Sequence, residues 1–158
     1  GYIYIFGIPG GRSGGAKLGR VLVDKYEEFS EYEYFNGCDN NGNAIFIKGN
    51  AGLEAIINND EAYVISPKVA EISVIYNKYL GKWMTLYQIG NRLIYRTADN
   101  PWGIWSKAEI VTTYTEFPIL YCGFMHEVYT EQNGKVVYFL MSEWAPIYNS
   151  RLLRLEFK

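Results

Sequence analysis

Residues 70–113 read AEISVIYNKYLGKWMTLYQIGNRLIYRTADNPWGIWSKAEIVTT. Four β-rich runs stand in this stretch: AEISVIYN, KWMTLYQI, RLIYRTA and SKAEIVTT. β-Branched and aromatic side chains fill them, which suits a pleated, half-buried surface. Turn chemistry separates them, first KYLG, then the segment RTADNPWGIWS (Arg96–Ser106). In NPWG, proline fixes one φ and glycine supplies backbone freedom, so this segment reads as the link between a third and a fourth strand. Trp102 and Trp105 on that outer link are read as packing residues that set one sheet against the next, not as a platform for a ligand.

Working outward, the same unit recurs. YIYIFGI, WMTLYQI and VVYFLMS resemble one another, and each precedes a strand with an arginine in the same place: Arg20, Arg96 and Arg154. The arginines are assigned a repeated structural part, paired with backbone or acidic neighbours between blades. AEISVIYN and LYCGFMHEV supply a preceding strand for the second and third units. FSEYEYF and SKAEIVT supply an outer strand for the first two, and EQNGK marks a hairpin by its Asn-Gly turn. Short antiparallel strands in fours, repeating every 40–50 residues or roughly so, predict β-propeller blades. The blades are placed at residues 1–37, 69–113 and 120–158. Residues 38–68, rich in Gly and Asn, are read as an insert whose GLEAIIN forms one short helix. Only the middle unit is complete: the first lacks its innermost strand and the last its outermost. The expectation is therefore all-β, an arc of about three blades cut from a longer propeller. Bare blade edges then invite self-association.

Composition narrows the function classes. The chain has 158 residues, 49% hydrophobic and 20% charged, with net charge −2. Lys and Arg form no cluster, so the electrostatic footprint of a nucleic-acid binder is missing. No apolar run has the length of a membrane span. The chain opens on Gly1 without a charged-then-apolar leader, so a signal peptide is read as absent or already removed. Aromatic residues reach 17%, which suits both strands and sugar or peptide binding. Cys38 and Cys122 form no metal pattern and are read as two thiols. With His126 as the single histidine, a His-rich metal site is excluded and no cofactor is expected.

The segments YIYIFGIPGGRSGGAKLGRV, AEISVIYNKYLGKWMTLY, IYRTADNPWGIWS, YCGFMHEVY and YFLMSEWAPIYNSRLLRLEF together resemble a bacterial, mostly extracellular propeller family. That family was long catalogued as a domain of unknown function and includes endo-acting D-arabinanases. The resemblance implies a five-bladed glycoside-hydrolase-like funnel with a carbohydrate site at its axial mouth. It also implies an extracellular or cell-surface setting and a glycan ligand. The family's Asp-containing motifs belong to its first blades and have no counterpart in this sequence, so the fragment alone is expected to be inactive.

Glu71 opens the innermost-strand candidate EISVIYN, and related propeller glycosidases place an acidic proton donor at a comparable position. Glycosidases need two carboxyls across the scissile bond, and Glu71 is taken as the catalytic candidate, against a solvated rim residue or one paired with an arginine. Arg12, in GGRSGG, is taken as a substrate contact, since flanking glycines let a loop approach a ligand while the guanidinium reads hydroxyls. His126 and Glu127 alternate to opposite faces. His126 is taken as a sugar contact and Glu127 as structural. Trp144 and Ser142, in MSEWAPIYN, complete the substrate-binding set, Trp144 by stacking on a sugar face. Ser142 lacks the setting of a serine nucleophile. The alternative reading is a non-catalytic carbohydrate-binding or surface-interaction propeller.

Overall fold

Eleven strands and one α-helix account for most of the chain in the computed structural model, which describes residues 1–57, 59, 62–66 and 68–158. They form three antiparallel sheets, divided between two compact units, residues 1–67 and 68–158.

The first unit is the sheet β1–β2–β3–β4, in sequence order: Tyr2–Gly7, Lys17–Leu22, Glu33–Cys38 and Ala44–Lys48. Two features depart from the expectation. The alternation of FSEYEYF does not run as one strand: Phe29–Glu31 turns as a 3-10 segment, and β3 begins at Glu33. Strand β4 lies inside the stretch read as an insert, where AIFIK pairs with β3 in the register Tyr34↔Ile47 and Phe35↔Phe46. The first sheet therefore has four strands. The expected short helix is present as α1, Gly49–Ile57.

Lys17 ties this helix to the sheet. Its ammonium donates to the carbonyl of Ile56, and to those of Ile57 and Asn59 at 3.3 Å each. Carbonyls at the end of a helix have no intrahelical partner, and a cation there also opposes the negative end of the helix dipole. Arg20 is held as firmly: its Nε meets Glu33 Oε2 at 2.7 Å, and its guanidinium lies 3.6 Å from the Phe46 ring centre and 4.3 Å from that of Tyr2.

The second unit holds two sheets. One is β5–β6–β7–β8, Ala70–Asn77, Lys82–Ile89, Arg92–Ala98 and Glu109–Thr113. The other is β11–β10–β9, from Leu120–Glu131 (β9), Val136–Glu143 (β10) and Asn149–Glu156 (β11). Ile75, Met84, Leu86 and Leu93 of the first sheet form one core with Met125, Val137, Phe139 and Met141 of the second. The EQNGK hairpin turns through three successive positive φ values, Gln132, Asn133 and Gly134. In the link RTADNPWGIWS, Gly103 N–H donates to Asn100 O at 3.0 Å, which closes the turn predicted from NPWG. Trp105 is buried, and Trp102 is half-buried.

Candidate functional site

Glu71 occupies a special backbone position. In β5, Ala70 pairs with Gln88 and Ser73 with Leu86, so Glu71 and Ile72 together oppose Tyr87. This is a β-bulge, and Glu71 takes φ 35°. A non-glycine residue in that region costs about 1–3 kcal/mol and persists only where its surroundings impose it. The same device recurs in β9: Tyr121 pairs with Ser142 and Gly123 with Met141, leaving Cys122 on the bulge at φ 48°. Glu71 is half-buried and Cys122 buried.

Buried polar groups hold the two bulged strands side by side. Gln88 Oε1 accepts the N–H of Cys122 at 2.9 Å, while its Nε2 donates to Gly90 O at 2.9 Å and to the Tyr114 hydroxyl at 3.3 Å. Ser73 Oγ accepts the N–H of Met125 at 3.0 Å. Further along, Lys78 meets Glu127 at 3.2 Å. The succession Gln88–Cys122, Ser73–Met125, Lys78–Glu127, with Gln88 paired to Ala70, shows β5 and β9 running in the same direction.

That alignment decides which candidates share a place. Glu71 is the second residue of β5, Tyr121 the second of β9, and Ser142 pairs with Tyr121 near the end of β10. Glu71, Ser142 and the following Trp144 therefore lie at one end of the second unit. Trp144 is 57% exposed, and its N–H donates to Ile119 O at 3.3 Å. Between Ser142 and Trp144, Glu143 is buried and its carboxylate is held by Arg151 Nε at 2.6 Å.

His126 stands apart from them, further along β9. It is exposed, its Nδ1 accepts the N–H of Val128 at 3.2 Å, and its ring meets Tyr129 edge-on at 5.9 Å. It lines a cavity of about 610 Å³ with Phe124, Tyr129, Tyr138, Leu140 and Leu152, and neither Glu71, Ser142 nor Trp144 reaches that lining. Arg12 belongs to the first unit. It is half-buried at the end of the 3-10 segment Gly10–Arg12, with φ 58°. Within the same loop, Gly15 has a packing reason: a Cβ there would stand 2.2 Å from Ile65 O and 2.9 Å from the Tyr63 ring. Glu127 is exposed and forms an ion pair with Lys78 at 3.2 Å.

The three recurring arginines find partners of the expected kinds, backbone or acid, but each within its own sheet or adjoining link and not between blades. Arg20 pairs with Glu33, Arg96 donates to Ser106 O at 3.3 Å, and Arg154 meets Glu156 at 2.7 Å. Burial pushes the Tyr87 phenol above its ordinary value, and the Arg96 guanidinium works against that rise. Both cysteines are thiols, Cys38 exposed and Cys122 buried. Among the described residues, no three His, Cys, Asp or Glu side chains gather to hold a metal ion, and no helix is long and apolar enough to cross a membrane.

The residues that align the site escaped sequence reading. Gln88 ends an otherwise apolar run and carries no sign that it is buried. Tyr121 and Ser150 flank Ser142 in register, but the extra residues of β9 between Met125 and Thr130, and then the bulge at Cys122, shift the pairing that a count back from the Asn-Gly turn gives. A family model described as a domain of unknown function, DUF4185, matches residues 1–154. The chain belongs to the DUF4185 family. The match spans both units and takes in β4 and α1, so the Gly/Asn-rich stretch lies within the DUF4185 region. A comparison with curated proteins gives no match.

Proposed function

We propose that this DUF4185 chain is part of a glycoside-hydrolase-like propeller, bacterial and extracellular or cell-surface, that acts on a furanoside-containing or related glycan. The three sheets are then blades, an arc of about three from a five-bladed propeller. The observation that carries the reading is Glu71 on its strained bulge, at the same end of the unit as Ser142 and Trp144. Strain of that kind gathers at functional sites. Glu71 is assigned as proton donor or substrate contact and Ser142 and Trp144 as glycan contacts beside it, while Arg12 and His126 are assigned as glycan contacts elsewhere on the chain.

Glycoside hydrolysis needs a second carboxyl across the bond. Glu143 is committed to Arg151; the partner carboxyl is assigned, as the family resemblance implies, to the first blades of such a propeller, and the fragment alone is taken as inactive. The same observation favours the second reading, a non-catalytic carbohydrate-binding propeller. The test is arabinan hydrolysis by the chain with its upstream sequence attached. Glu71→Gln is expected to lower the rate at least 100-fold or so, the scale of a lost general acid. An unchanged rate removes Glu71 from catalysis, and arabinan cleavage by the 158 residues alone overturns the claim of inactivity.

A further inference from the structure

Strand β10 has the composition of a strand buried on both sides, yet it is buried on one. Its run VVYFLM, Val136–Met141, carries no polar group except the Tyr138 phenol. A strand covered on both faces reads as such a continuous run, whereas a face in water gives alternation. Strand β6 is covered on both: Met84, Thr85, Leu86, Tyr87 and Gln88 are each at most 1% exposed. In β10, Val137, Phe139 and Met141 are buried in the core shared with the sheet β5–β8. Leu140, between them, is 50% exposed.

The uncovered side runs across the whole sheet. Leu140 pairs with Phe124 on β9 and with Leu152 on β11, and residues directly opposite one another in antiparallel strands stand on one face. Phe124 is 48% exposed and Leu152 65%. Three strands give this apolar row a width of about 10 Å. Arg154, two residues beyond Leu152, is neutralised by Glu156 at 2.7 Å. Single exposed apolar residues are ordinary, but a contiguous apolar face marks a contact surface.

The neighbouring contact shows what fits there. Strands β5 and β9 run in the same direction, each begins its sheet, and each carries a bulge near its start. The sheet β5–β8 meets one face of β9–β11 through Ile75, Met84, Leu86 and Leu93. Repeating that step brings a further sheet onto the row Phe124–Leu140–Leu152, with its first strand along β9. A polar ligand finds nothing to pair with in three hydrocarbon side chains.

We propose that this row is the seat of a further antiparallel sheet of the parent protein, the first blade of the propeller, supplied by sequence upstream of Gly1. This rests on the propeller reading above, and neither on a glycan ligand nor on Glu71. His126 lines the same cavity as the row, so a filled seat and the part of His126 as a glycan contact are rivals, and one experiment separates them.

The test is thiol accessibility. Leu140→Cys and Leu152→Cys, each with the exposed Cys38 replaced by Ser, are labelled with a maleimide in the 158-residue chain and in the chain with its upstream sequence attached. Lys107→Cys, at an exposed position past the outer link, is the control. Both row thiols are expected to react freely in the shorter chain and about 10-fold or more slowly in the longer one, because a covered thiol reacts only while the contact opens. The control thiol should react alike in both. Equal reactivity of the row thiols in the two chains overturns the seat, as does equal slowing of the control, and His126 then keeps its assignment. If the shorter chain already protects the row and sediments as a dimer, a second copy is the occupant and the proposal falls. Leu140→Glu gives a check without labelling. It should leave the unfolding midpoint of the shorter chain unchanged and lower that of the longer one; the same shift in both overturns the seat. Arabinan hydrolysis by the longer chain is read separately. Hydrolysis with reactive row thiols sinks the seat alone, and protected row thiols without hydrolysis sink the glycan reading alone.

Discussion

Gln88 and Cys122 are joined by a buried hydrogen bond of 2.9 Å, side-chain carbonyl to backbone N–H, and this bond locks the starts of two bulged strands together. Through it the end of β6 and the start of β9 share one position, and the candidate site takes its layout from that.

Replacing Gln88 should therefore cost more than its volume. Gln88→Leu leaves the buried Cys122 N–H without its acceptor, with an expected loss of about 1–3 kcal/mol in urea unfolding. A loss under about 0.5 kcal/mol, the ordinary scatter of surface substitutions, would show that the bond does not hold the sheets together.

Asn77 and Gly134 form a second fastening. The buried Asn77 amide donates to Gly134 O at 2.8 Å, and its oxygen accepts the Leu80 N–H at 3.0 Å. Gly134 has φ 98°, and a Cβ on it would stand 2.7 Å from Asn77 Oδ1. Gly134→Ala is expected to destabilise by about 1–3 kcal/mol, the cost of a residue held in a rare backbone region. Part of that cost should vanish in the Asn77→Ala background, because the clash goes with the amide. Strict additivity in the double variant would count against the contact.

Asp39 gives a pH dependence with a definite sign. Hydrogen bonds from the Asn43 side chain, then from the backbone N–H groups of Asn43 and Asn41, hold its carboxyl below the ordinary 3.8. A carboxylate whose folded pKa is depressed stabilises the fold above its unfolded value and loses that stabilisation as pH falls through the folded one. The effect should thus be full above 3.8 and disappear below it. Comparing acid unfolding of the parent with that of Asp39→Asn checks this: the parent should show an extra loss in that window. Identical acid limbs would mean the turn contributes nothing to folding.

Much of the fold was legible because local chemistry and pairing agree. AEISVIYN is the whole of β5, RLIYRTA the whole of β7, and NPWG makes the turn its residues favour. Strand β4 was hidden because five apolar-rich residues sit among Gly and Asn, and only pairing with β3 gives them a sheet. FSEYEYF misled because alternation describes which side a residue faces, and the 3-10 turn at Phe29–Glu31 satisfies its own backbone bonds instead. Of the candidate site, Glu71, Ser142 and Trp144 were found as residue types at strand ends. Their shared position was not, since it depends on Gln88 and on two positive φ values for which Glu and Cys give no sign.

The paired bulges at Glu71 and Cys122 have a consequence for how such a chain changes over time. Two sockets of one backbone shape carry two unlike side chains, an acid and a thiol. The frame occurs twice while the chemistry is set by one residue in each copy. A single codon can then grant or withdraw a reactive group at either socket, with the sheets around it left as they are.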